Sequence, residues 1–215
     1  MMSPDRSYKP DLIFPNEEQL WQSFKGGNLS AYERIYNLYY QDLFAYGLKL
    51  CSRRELVRDS IQSLFVTIWD RKDHLDEVRS VKAYLLASLR RKILKNMRED
   101  RGAGSPVSIR EEIVNTVQIS IEESIIQDEL EEFQLKALQQ ALECLPERQK
   151  EILFLKYYNG MSYEEIEEIL SINYQSIRNH IYRALQKLRV HLKEEISTPI
   201  ISLLILFLPV VWVVF

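Results

Sequence analysis

From Gly160 to Leu188 the apolar positions form two short helical stripes separated by a break. Ile166, Ile169 and Leu170 fall on one face of the first, and Ile177, Ile181, Ala184, Leu185, Leu188 and Leu192 line the second, the spacing of amphipathic helices. Ser162 followed three residues later by Glu165 predicts a capping box at the start of the first. Ser171, Ile172 and Asn173 interrupt, and Asn173 predicts the N-cap of the second. Two helices joined by a tight turn can place a helix in a DNA groove. Away from its apolar stripe the second helix carries Gln175, Ser176, Arg178, Asn179, Tyr182 and Arg183. Arginine suits guanine, Asn and Gln suit adenine, and Ser176 or free N–H groups at the helix start suit a phosphate. The same spacing also fits an ordinary helical hairpin with a solvated face.

Upstream the pattern stays helical. A head of about fifteen residues with three prolines and no periodicity precedes Asn16, which predicts the cap of a helix containing Leu20, Trp21 and Phe24. Gly26, Gly27 and Asn28 end it. A long helix from about Ser30 to Lys49 is crowded with aromatics, from Tyr32 through Tyr36, Tyr39 and Tyr40 to Phe44, most of them expected in the core. Two further helices, at about Arg54 to Arg71 and Val81 to Arg98, complete a first unit. Gly102 to about Val117 reads as a linker, helix resumes from near Ile121 to Cys144, and Glu147 to Tyr158 leads into the Gly160 turn. The expected fold is all-α. It comprises a disordered head (1–15), two small helical domains (16–100 and 121–195), a flexible acidic linker (101–120) and an apolar tail (196–215).

The formal net charge of −3 conceals two basic islands. Lys82, Arg90, Arg91, Lys92, Lys95 and Arg98 give +6 over 82–98 with no acid, and Arg178, Arg183, Lys187, Arg189 and Lys193 give +5 over 173–193. Between them, residues 99–145 hold eleven acidic and three basic side chains. A solvated helix face usually mixes both signs, whereas one sign suits a polyanion. Cys51 and Cys144, without a secretory leader pattern, fit a reducing cytoplasm and read as small, buried, inert residues. The three histidines show no metal-ligand spacing, and neither a phosphate loop nor a nucleophile motif appears, so no catalytic residue, metal or cofactor is expected.

On the third helix Asp59, Gln62, Phe65 and Trp69 share one side, with Ile61, Leu64 and Ile68 opposite. Such a helix is either a core element with polar groups at its rim or a partner surface.

The series RDSIQSLFVTIW followed by VKAYLLASLRRKILKNMR resembles domain two of bacterial sigma factors. LPERQKEILFLKYYNGMSYEEIEEILSINYQSIRNHIYRALQKLR resembles domain four, and the order, with a short acidic linker, is similar to the extracytoplasmic-function (ECF) group. The resemblance implies a sigma factor that directs core RNA polymerase to promoter DNA and helps to open it, commonly held inactive by an anti-sigma factor. It implies that Asp59, Gln62, Phe65 and Trp69 serve polymerase binding on the clamp helices. The stretch from Asp76 through Tyr84 would capture a flipped-out base of the minus 10 element. Lys82, Tyr84, Arg90, Arg91, Lys95 and Arg98 would serve the melted strand, and Gln175, Ser176, Arg178, Asn179, Tyr182 and Arg183 the minus 35 element. The chain departs from the group at Glu167, where a small residue is usual, at Ser171 (Gly) and at Arg91 (Asn).

Residues Ile200 to Phe215 are apolar and uncharged. As helix they would span about 24 Å, short of a hydrocarbon core of roughly 30 Å, with Pro209 in the middle. A membrane contact, a strip folded back on the protein and a partner-binding tail all remain open, so the expected location is the cytoplasm, with membrane association through 200–215 as one reading. Two rival functions also remain: a free-standing helix-turn-helix regulator with a sensing or dimerising first unit, and an adaptor without promoter activity.

Overall fold

The computed structural model describes residues 16–100 and 137–195 of the 215-residue chain. The expectations for the head, for most of the acidic segment and for 200–215 lie outside the described residues. Helix α1 (Glu17–Lys25) begins where the Asn16 side chain accepts from the Gln19 N–H at 2.8 Å. Glu17 and Glu18 in its first turn and Lys25 in its last complement the helix dipole. Helix α2 (Leu29–Leu50) starts in the same way, the Asn28 side chain accepting from Ser30 N at 2.9 Å and Ala31 N at 3.2 Å. Helix α3 (Arg54–Asp70), a 3₁₀ turn (Lys72–His74) and helix α4 (Val81–Asp100) follow.

Helices α2, α3 and α4 pack pairwise around Ile35, Leu43, Ile61, Phe65, Leu85, Leu89 and Ile93, all at most 1% exposed. Gly47 allows this close approach. A Cβ built there would stand 2.4 Å from Cγ1 of Val57 on α3 and 3.3 Å from Cδ1 of Ile93 on α4. Of the long helix's aromatics Tyr39 and Tyr46 are buried, whereas Tyr36, Tyr40 and Phe44 are only partly covered and line one edge, Tyr36 tilted against Tyr40 at 5.2 Å and Tyr40 stacked on Phe44 at 5.9 Å.

The second unit holds helix α5, described at 137–143, then α6 (Glu147–Leu153), α7 (Tyr163–Leu170) and α8 (Tyr174–Glu195). The expected helix from Glu147 to Tyr158 exists, but its last five residues, Phe154–Tyr158, widen into a π turn. The Asn159 N–H reaches back five residues to the Phe154 carbonyl at 3.1 Å, and the Phe154 and Tyr158 rings stack at 4.5 Å. Ile152, Leu155, Ile166, Ile177, Ile181 and Ala184 form this unit's centre, each at most 2% exposed. Cys51 is buried as expected. Cys144 is not: it sits exposed past the end of α5, turned away from the buried Ala141 and Leu145.

Every described element is helical or a turn, and among the described residues no helix is long and apolar enough to cross a membrane. The units touch, with α4 packed along α7.

Candidate nucleic-acid interface

The turn between α7 and α8 follows its sequence signals closely. Ser162 N donates to the Glu165 carboxylate at 2.7 Å while Glu165 N donates to Ser162 Oγ at 3.1 Å, closing the capping box. Asn173 Oδ1 accepts from Ser176 N at 2.8 Å and so caps α8. Ser171, between them, is left-handed at φ 52 and ψ 47. It is the only non-glycine among the described residues with positive φ, at the very position where the ECF group usually has glycine. A residue with a Cβ costs roughly 1–2 kcal/mol there, partly offset by glycine's freedom in the unfolded chain. Ser171→Gly is therefore expected to stabilise the protein by about 0.5–1 kcal/mol, read as a higher thermal midpoint; an unchanged or lower midpoint would contradict this. Glu167 stands exposed, so its bulk meets solvent and leaves the turn intact.

Ile177, Ile181, Ala184 and Leu188 seat α8 on its own unit. This turns Gln175, Asn179, Tyr182 and Arg183 outward, with Arg178 and Ser176 at the border. The Gln175 amide donates to Asn179 Oδ1 at 3.3 Å, and the Arg178 guanidinium lies 5.9 Å from the Tyr174 ring centroid. Tyr182 is 58% exposed. The Ser176 N–H is already taken by Asn173, so a phosphate there would meet only its hydroxyl. Arg148 donates to the Leu170 carbonyl at 3.0 Å and ties α6 to the turn.

The basic island of α4 divides. At 100° per residue Tyr84, Arg91, Lys95 and Arg98 occupy one arc of about 60°, where Arg91, Lys95 and Arg98 are exposed and Tyr84 packs edge-on against Trp21 at 5.5 Å. Lys82 and Arg90 point elsewhere. Lys82 Nζ pairs with Asp42 at 2.7 Å and donates to the Asn159 carbonyl of the second unit at 2.9 Å. Arg90 Nε meets the Glu151 carboxylate at 2.9 Å. The segment from Asp76 to Ser80 ahead of α4 is pinned to α1: Trp21 Nε1 donates to the Asp76 carbonyl at 3.2 Å, and Lys25 pairs with Glu77 at 2.7 Å. Hydrogen bonds from Lys25 and Gln22 hold the Glu77 carboxyl below its usual range.

On α3, Asp59 and Gln62 are exposed. Phe65 is 1% exposed and belongs to the core, and Trp69 is half-buried against Tyr32 at 5.0 Å and Phe24 at 6.2 Å. Asp59 and Gln62 thus stand on a surface backed by these two rings. Among the described residues no group of three or more His, Cys, Asp or Glu side chains is placed to hold a metal ion.

The seam between the units was invisible in the sequence. Glu151, 2% exposed, accepts from Tyr46 Oη at 2.8 Å, from Arg90 at 2.9 Å and from Arg148 Nη1 at 2.9 Å. Burial pushes this carboxyl up, but Arg90, Arg148 and the Tyr46 hydroxyl outweigh it and hold it low. Burial pushes the Glu165 carboxyl at the head of α7 up, but Ser162, aided by Ser80 of the first unit, outweighs it and holds it below its usual range. No periodicity marks Glu151, because two of its three partners, Tyr46 and Arg90, come from helices more than fifty residues away in the chain.

Fold and face together define an all-α, helix-turn-helix DNA-binding protein of two units. Residues 35–102 match Sigma-70 region 2, and residues 135–188 match Sigma-70 region 4, together more than half of the chain. The ECF RNA polymerase sigma factor SigM of Bacillus subtilis is 23% identical over 158 residues, 73% of this chain and 92% of that one. RNA polymerase sigma factor SigV of the same organism is 39% identical over 61 residues, 28% of this chain and 37% of SigV. The solved sigma factor RpoE, in complex with the anti-sigma factor NepR from Bartonella quintana, shares the fold with a TM-score of 0.52 at 22% identity, covering 75% of this chain and 96% of that one. The chain belongs to the Sigma-70 family, as a sigma factor of the extracytoplasmic-function group that directs promoter-specific transcription initiation.

Proposed function

We propose a division of this work among named side chains. Asp59 and Gln62 dock the first unit on the clamp helices of core RNA polymerase, backed by Phe65 and Trp69. The Asp76 to Tyr84 segment takes a flipped-out base of the minus 10 element. Arg91, Lys95 and Arg98, joined by Lys82 and Arg90, hold the melted strand by charge. Gln175, Arg178 and Asn179 read base edges of the minus 35 element in the major groove, with Ser176, Tyr182 and Arg183 on its backbone. The chain performs no catalysis of its own, works in the cytoplasm, and is a target for an anti-sigma factor, as RpoE is for NepR.

The observation that carries this reading is the outward face of α8. Arg178, Asn179, Tyr182 and Arg183 stand together, without an acidic neighbour between 173 and 193, on a helix fixed by a formed cap and turn. The full chain, mixed with core RNA polymerase and a library of promoter sequences, is expected to yield transcripts whose upstream DNA shares two spaced elements. Absence of initiation above core alone would end the reading. Arg178→Ala is expected to relax preference at one position of the upstream element, a loss of about 1–3 kcal/mol of discrimination. Lys95→Ala should weaken opening on all sequences alike and flatten the salt dependence. The reverse pattern would overturn these two assignments.

A further inference from the structure

None of the promoter roles above falls on α1, yet this helix touches the base-capturing segment at both of its ends. Near the start of the segment, Trp21 Nε1 donates to the Asp76 carbonyl at 3.2 Å, Lys25 Nζ pairs with Glu77 Oε1 at 2.7 Å, and the Gln22 amide donates to Glu77 Oε2. At its far end the Trp21 ring meets Tyr84 edge-on at 5.5 Å. Just over one turn of α1 supplies all of these contacts.

The segment has little means of holding its own shape. Leu75 to Ser80 lies between the 3₁₀ turn and α4 and belongs to no helix, so no repeating backbone ladder fixes it. Asp76, Glu77 and Arg79 are exposed. Helix α1, by contrast, is rooted in the core: Trp21 and Phe24 are at most 1% exposed, with their rings 5.1 Å apart. Order in the core therefore passes through Trp21 to the Asp76 carbonyl. Glu17, Glu18 and Trp21 of α1 also face Glu77, Val78 and Arg79 across an open cleft of about 560 Å3, a volume within the range of small-molecule sites. One wall of the space beside the segment is thus α1 itself.

From this we infer that α1 belongs to the minus 10 reader: Trp21, Gln22 and Lys25 are positioning residues that set which base is accepted, acting through Asp76 and Glu77. The inference rests on base capture by the Asp76 to Tyr84 segment proposed above. A segment already held in one shape meets the fitting base without a further ordering cost and yields little to a wrong one. A loosened segment adapts to several bases, and discrimination falls. The phosphates of the melted strand are gripped elsewhere, by Arg91, Lys95 and Arg98 on the exposed arc of α4. Loss of positioning should therefore blur base choice and leave the charge-driven grip unaltered.

The test uses the full chain with core polymerase on a promoter library in which the minus 35 element is fixed and the minus 10 positions vary. Sequenced transcripts give the base preference at each position, and wild type is expected to favour one base at the captured position. Lys25→Met, which keeps the stem and removes the charge, is expected to lower that preference by up to about fivefold, the most that an exposed ion pair supplies, whereas Lys25→Arg retains it. Trp21→Phe, which keeps a ring and loses the N–H, should lower it about two- to tenfold, the range of one neutral hydrogen bond. In both, the preferences at the other positions and the salt dependence of opening stay those of wild type. A purely structural role for α1 would instead weaken initiation on every sequence alike. That result overturns the inference, as does an unchanged preference in Lys25→Met and Trp21→Phe, or an equal loss in Lys25→Arg. Wild-type transcripts with no preference anywhere in the minus 10 positions would sink base capture by the segment, and the inference with it.

Discussion

Replacing Gly47 by alanine is expected to destabilise the first unit by about 2 kcal/mol, although the new residue is the better helix former. Alanine's propensity favours it by about 1 kcal/mol in a helix interior. Against that, the added methyl meets Val57 Cγ1 at 2.4 Å and Ile93 Cδ1 at 3.3 Å. Val57 is branched at Cβ, is fully buried and has few rotamers to retreat into. Overpacking a filled core typically costs 1–3 kcal/mol and must here exceed the propensity gain. The pair Gly47→Ala with Val57→Ala tests the cause. Valine truncation alone leaves a small cavity, but in the double variant the alanine methyl partly fills it, so the combined loss should fall below the sum of the single losses. Denaturant midpoints of the four proteins measure this; simple additivity would show that the clash is relieved elsewhere.

Lys49→Met is expected to act in the other direction. Lys49 is 9% exposed at the seam, and burial pulls its ammonium down to about 8; Glu147 and Glu151 pull back up while Lys150 adds to the fall. Free lysine titrates near 10.4. Above the folded value the unfolded chain therefore binds the extra proton, so stability rises with pH as the solution passes through about 8 to 10. Below that window lysine is charged in both states, and the desolvation cost is fully present. Methionine keeps the stem and removes the charge, and should raise stability at pH 7 by about 1–2 kcal/mol, less than the full shift implies because solvent reaches part of the site. Urea midpoints at pH 7, 8 and 9.5 are expected to climb for wild type and stay flat for Lys49→Met. Tyr39 and Tyr46, whose phenols burial lifts above the ordinary range, contribute the opposite slope only above about pH 10. A variant that still climbs would place the titrating group elsewhere.

The elements that local chemistry specifies were legible in the chain. Asn16, Ser162, Glu165 and Asn173 each form the cap their spacing announced, because a cap is decided within four residues. The aromatic helix was legible as a helix and less so in its detail. Tyr46 went unremarked beside its more conspicuous neighbours, yet it is fully buried and reaches Glu151. Phe65 was grouped with Asp59 by helical angle, but angle alone does not distinguish a face turned to a partner from one turned to α1 and α2. The division of the α4 island had no local sign either. Lys82 and Arg90 look like Lys95 until the second unit, over fifty residues downstream, supplies an acid and a carbonyl to claim them. Ser171 was marked as unusual from the sequence, and its left-handed backbone gives the physical reason why glycine is the usual occupant.

Within the second unit, Arg148 joins the seam to the turn between α7 and α8. One of its nitrogens holds Glu151 at the seam, and another holds the Leu170 carbonyl immediately before the left-handed Ser171. A guanidinium is a rigid planar fork, so it cannot follow one partner without shifting against the other. Whatever free energy the seam exerts on the approach angle of α8 must be returned in equal measure when DNA fixes that angle. Upstream base recognition then becomes a thermodynamic load on the seam, felt more strongly the better the DNA fits.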